Sequence, residues 1–131
     1  MKLSFDICKG PPSTAQIRQA RAAILRQLVM VVLVFPISIA GIAFGRDFFT
    51  APACVVILIG NIMYLLYLTN DGQWLLFSYI TPQQATMLVL WAESNAAIAL
   101  YSTGLRLQQR APTDWEYRSI IRFLQAEHRY A

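Results

Sequence analysis

Charge is scarce in this chain. Only 14% of its 131 residues are Asp, Glu, Lys or Arg, while 56% are hydrophobic. Soluble domains carry about 25% charge, so an ordinary water-soluble domain is excluded. Disorder is excluded too, because disordered chains need a far more polar composition. Six prolines and six glycines are near average and rule out collagen-like or linker-like sequence. Histidine is nearly absent: His128 is the only one, so His-centred metal sites and Ser-His-Asp arrangements lack material. Cys8 lies in a basic N-terminal tail and Cys54 in an apolar run, forming neither a disulfide framework nor a CxxC site. No G-x-x-x-x-G-K-[ST] and no G-x-G-x-x-G occurs. The seven carboxylates are scattered, and only Glu93 falls inside an apolar stretch, where a turn position accounts for it. The expectation is a single non-enzymatic domain with no catalytic, cofactor-binding or metal-ligating residues.

What the chain does have is two long uncharged runs, 27–45 (QLVMVVLVFPISIAGIAFG) and 51–69 (APACVVILIGNIMYLLYLT). Each is about 19 residues, which at ~1.5 Å per residue nearly crosses a hydrocarbon core of ~30 Å. The first starts too late, and lacks the cleavage site, for a signal peptide. Only RDFFT separates them, so they predict an antiparallel transmembrane hairpin, 27–69. Lys2, Lys9, Arg18, Arg21 and Arg26 precede the first span, against Arg46 in the loop. The positive-inside rule then puts the N-terminus, and after the hairpin the C-terminus, in the cytoplasm.

Inside the hairpin, Ser38, Gly41 and Gly45 are spaced to share one helical face, a ridge that lets a second backbone approach closely. The second helix of the same chain is the preferred neighbour; homo-oligomerisation is the alternative. Pro36 and Asn61 fall at similar depth, and Pro36 frees the Val32 carbonyl for the Asn61 amide or the Tyr64 hydroxyl.

Outside the hairpin, residues 1–26 form a basic arm that turns helical near residue 14, after an S-x-x-Q capping box at Ser13 and Gln16. Lipid anchoring accounts for its arginines. Residues 70–131 read as a cytoplasmic module. Asn70-Asp71-Gly72 signals a hairpin turn, Thr81-Pro82 a break, and Glu93-Ser94-Asn95 and Ser102-Thr103-Gly104 further turns between short apolar runs. Three or four antiparallel strands are preferred over helices and over a third crossing at 86–107, which would bury Glu93. The fold class expected is therefore membrane α+β, with all-α as the alternative. A T-x-x-E box at Thr113 and Glu116 opens a final amphipathic helix, 113–129. Tyr117, Ile120, Ile121 and Leu124 share its apolar face. Arg118, Arg122 and Arg129, with Trp115 beside them, form a stripe read either as a solvated face or as a contact for an acidic protein or anionic lipid headgroups.

The order of features resembles the YgfX/CptA family of small bacterial inner-membrane proteins. The likeness is carried by Asp71-Gly72-Gln73-Trp74, Met87-Leu88-Val89-Leu90, Asp114-Trp115-Glu116-Tyr117-Arg118 and Ile121-Arg122-Phe123-Leu124. It implies a toxin of a toxin–antitoxin pair, facing the cytoplasm and binding tubulin-like and actin-like cytoskeletal proteins. The chain departs from the family pattern where AAIALYSTG is apolar and where Ile121-Arg122 stands in place of an Arg-Arg pair. A structural subunit, or an immunity or exclusion protein, of an envelope or secretion assembly is the competing expectation. The net charge of +4 is assigned to anionic membrane surface, not to nucleic acid.

Overall fold

The computed structural model describes residues 3–130. It is all-helical: α1 Thr14–Phe44, α2 Thr50–Asn70, α3 Pro82–Ser94, α4 Ala96–Leu107 and α5 Asp114–Tyr130, with short 3-10 turns at Ile7–Lys9 and Gln73–Phe77. No strand is present among the described residues, which corrects the α+β expectation. Among the described residues the trace of sheet is one antiparallel bridge, Tyr79 to Thr113.

Two of the apparent breaks between strands are helix caps. Thr81-Pro82 is a helix start: Thr81 N donates to Gln84 Oε1 at 2.7 Å, Gln84 N donates to Thr81 Oγ1 at 3.4 Å, and proline occupies the first turn. Proline suits that position because it has no N–H to lose. Asn95 ends α3 and begins α4, its Oδ1 accepting from Ala97 N at 3.0 Å and Ile98 N at 3.4 Å. Ser102-Thr103-Gly104 is no turn at all and lies inside α4. Gly104 permits a close approach there, since a Cβ would stand 2.6 Å from Pro11 Cδ. Gly72 does take a positive φ of 69°, but it leads into the 3-10 turn rather than a strand.

The chain divides into two compact units, one holding the described residues up to Arg21 and those from Gln73 on, the other holding Ala22–Gly72. In the first, the N-terminal arm is not a tail but part of the core. Ile7 packs with Leu88, Ile98, Tyr101, Leu105 and Ile120, and Phe5 lies tilted against Tyr101 and edge-on to Trp115, with ring centres 5.7 and 6.3 Å apart. Gln73, buried, donates to the Leu3 carbonyl at 3.4 Å. Ser13 N donates to Gln16 Oε1 at 2.8 Å and Gln16 N to Ser13 Oγ at 3.2 Å, closing the box that starts α1.

The second unit holds the apolar part of α1 and all of α2. Both helices are long and apolar enough to cross a membrane. Their apolar surface points outward: α2 has no buried residue, and of α1 beyond Ala20 only Val31 and Ser38 are buried. Side chains such as Val29, Ile37, Val56 and Leu66 stand exposed. A core helix of a soluble protein hides such a face; this one suits a hydrocarbon solvent and allows a membrane location.

The facing surfaces of the pair are small and polar. A Cβ on Gly41 would collide with Cys54 Sγ, and one on Gly45 would come within 3.1 Å of Thr50 Cγ2. Ser38 Oγ donates back to the Val34 carbonyl at 2.9 Å. Asn61 Nδ2 donates across to the Val31 carbonyl at 3.0 Å, one residue before the Val32 carbonyl expected from Pro36.

Candidate functional site

α5 has two faces with opposite chemistry. Its inner face carries Trp115, Glu116, Ser119 and Ile120, all buried. Its outer face carries Arg118, Arg122 and Arg129, all exposed.

A fully buried carboxylate organises the inner face. Glu116 Oε1 accepts from Arg110 Nη2 at 2.7 Å and from the Tyr101 hydroxyl at 2.8 Å. Its Oε2 accepts from Arg110 Nη1 and Thr113 N, both at 2.8 Å, and from Thr113 Oγ1 at 3.0 Å. Glu116 N donates back to Thr113 Oγ1 at 3.4 Å, completing the T-x-x-E box. Arg110 spends its remaining donors on Gln108 Oε1 at 2.8 Å and on the carbonyls of Pro12 and Ala111, at 2.8 and 3.4 Å. Fork-to-fork pairing of this kind is the strong form of the charged hydrogen bond.

The electrostatics follow from this geometry. Burial pushes the Glu116 pKa up, but hydrogen bonds from Arg110 and the Thr113 backbone, the Arg110 charge and the Tyr101 hydroxyl outweigh it. The net result holds the carboxyl below its ordinary value. Tyr101 moves the other way: burial first, then the adjacent Glu116 anion, raise its pKa well above the usual tyrosine range. Every acceptor of Glu116 is engaged, so the cluster acts as a fixed joint between α4, α5 and the N-terminal arm. It has no lone pair free for proton transfer.

A signal for this joint was present in the sequence. Glu116 lies one helical turn from Ile120 on the apolar face, and a carboxylate there requires a buried partner. The capping box explains Glu116 locally, and no local pattern points to Arg110 or Tyr101 as its partner.

The predicted contact residues divide. Trp115 lies beside the arginines on the helical wheel, as its spacing to Arg118 and Arg122 requires, but its ring is buried against Phe5 and not exposed with them. Arg118 stands 3.7 Å from Asp114 Oδ2 and stays 59% exposed in its side chain. Arg122 and Arg129 form no ion pair among the described residues, and flank a shallow hollow with Gln125, Ala126 and Tyr130. The nearby acid Glu127 is engaged by Asn95 Nδ2 at 2.8 Å. The outer face of α5 is thus a stripe of positive charge only partly compensated by its own helix. Of the predicted packing residues, Ser38, Gly41, Gly45 and Asn61 all lie in the apolar hairpin, and Gly41 meets Cys54 of the same chain. Cys8 and Cys54 are free thiols.

No family model, no curated protein and no solved structure matches this chain.

Proposed function

We propose that the chain is a small membrane-anchored interaction protein. In this reading, α1 and α2 hold it in a bacterial inner membrane with both termini in the cytoplasm, as the balance of flanking Lys and Arg favours. The helical unit offers the face of Arg118, Arg122 and Arg129 to an acidic protein partner. The observation that carries the reading is the exposure of Arg122 and Arg129 without ion pairs among the described residues, on a helix whose inner face is locked by Glu116. Charge complementarity of this sort steers encounter and selects partners. The resemblance to the YgfX/CptA family supports the finer reading, a toxin-like inhibitor of cell division or cell-shape machinery.

The competing role, a subunit docking in an envelope assembly through the small-residue ridge, has less to stand on. Gly41 is already covered by Cys54 and Gly45 approached by Thr50 within the chain.

The test is site-specific photo-crosslinking in intact membranes from position 125, which lies between Arg122 and Arg129. A discrete adduct with an acidic protein, lost in Arg118→Glu with Arg122→Glu, supports the reading. Lipid adducts alone, or an adduct indifferent to those changes, contradict it.

A further inference from the structure

A second concentration of positive charge lies away from the outer face of α5. Arg18, Arg21 and Arg110 line one cavity of about 240 Å³, together with Thr14, Tyr79 and Thr113. No carboxylate lines it. Arg110 is neutralised by Glu116 behind it, and all its donors are spent. Thr113 Oγ1 is likewise committed to Glu116. The charges of Arg18 and Arg21 have no such compensation, since neither forms an ion pair among the described residues.

Arg21 is held in place, not free to swing away. Its Nε donates to the Leu76 carbonyl at 2.7 Å, and its Nη2 donates to the same oxygen. The guanidinium also lies over the rings of Phe77 and Tyr79, 5.8 and 5.4 Å from their centres. Such cation–π contacts fix the plane of the group. Nη1 keeps its donors for a further acceptor. Arg18, exposed, supplies a second guanidinium one turn earlier on α1, and the hydroxyls of Thr14 and Tyr79 add neutral donors.

We infer that this cavity binds a phosphate group. Two uncompensated guanidiniums match an oxyanion of one to two negative charges, and the planar fork of arginine suits phosphate oxygens. At ~30 Å³ per water, the cavity holds several waters, enough room for a phosphate and the start of an ester arm. Two sources share this chemistry: the headgroup of an anionic phospholipid, and a soluble phosphate. Arg21 stands six residues before the uncharged run that begins at Gln27.

The experiment uses the full chain in detergent micelles. Native mass spectrometry reads retention of phosphatidylglycerol against phosphatidylcholine, and calorimetry reads inorganic phosphate. Arg18→Gln removes an exposed side chain and should weaken binding about fivefold, the worth of one basic residue at a phosphate surface. Arg26→Gln, on the same helix but outside the cavity, should change nothing, and neither should Arg118→Glu with Arg122→Glu, which separates this site from the α5 face. Selective retention of phosphatidylglycerol without a phosphate heat supports the site with lipid as its source. A phosphate heat that displaces the lipid supports it with soluble phosphate as the source. Equal retention of both lipids with no phosphate heat, or equal losses in Arg18→Gln and Arg26→Gln, would overturn it.

Discussion

Arg110 grips Glu116 with both arms, Nη1 to Oε2 at 2.8 Å and Nη2 to Oε1 at 2.7 Å, and the carboxylate it holds is wholly removed from solvent. Five donors from Arg110, Tyr101 and Thr113 converge on one glutamate. Removing one partner of such a pair leaves the other charge buried and uncompensated, at a cost of about 3–5 kcal/mol. Glu116→Gln and Arg110→Met should each destabilise the helical unit by that order. The double change should cost less than the sum of the two. Thermal unfolding in detergent, followed by intrinsic tryptophan fluorescence, measures all three; additive losses would refute the coupling.

The same joint makes stability depend on acid. The Glu116 pKa is lowered on folding, so its contribution is fully present above the unfolded carboxylate value and disappears as pH falls through the lower folded value. Wild type should therefore lose its advantage over Glu116→Gln only below about pH 4.3. Tyr101, raised on folding, adds stability that is complete below the ordinary tyrosine pKa and declines only above about pH 10. Between those limits melting curves should be flat with respect to these two groups. A steep slope near neutrality that disappears in Glu116→Gln would show the glutamate titrating from the wrong side.

Gly41 should tolerate no side chain of size. Its Cα faces Cys54 so closely that a single methyl meets the sulfur, and only a small movement of Cys54 can relieve Ala. Gly41→Leu should force the hairpin helices apart and lower accumulation of the chain in membranes. Cys54→Gly should restore part of that loss by reopening the space. If Gly41→Leu accumulates normally, the ridge packs against something other than α2.

How far the fold was legible in the sequence depends on what kind of information each segment carries. The apolar helices are a matter of composition and length: the uncharged runs 27–45 and 51–69 correspond to the apolar part of Thr14–Phe44 and to Thr50–Asn70. Capping boxes were equally readable, as Ser13 with Gln16 and Thr113 with Glu116 show. The same grammar operates at Thr81 and Gln84, where the Thr-Pro pair reads as a break unless the glutamine three residues on is counted. Asn95 marked the right boundary but the wrong structure, because an asparagine caps a helix as readily as it makes a turn.

Long-range information was least accessible. The arm packs Ile7 into a core built from α3, α4 and α5, and Arg110 reaches the Pro12 carbonyl, contacts that no local pattern announces. The arginine stripe of α5 was visible as periodicity. The burial of Trp115 beside it was not, because whether that tryptophan is covered depends on the arm it meets, through Phe5. The Arg18–Arg21 cavity was hidden for a similar reason: both residues look like membrane-flanking charge until Tyr79 and Arg110 are brought beside them.

The most direct test of the interaction role is inducible expression in a bacterial host. Growth and cell shape are scored for wild type and for Arg118→Glu with Arg122→Glu, at matched levels in the membrane fraction. The account predicts swelling or filamentation with wild type and normal cells with the variant. Normal growth with both, or the same defect with both, would contradict it.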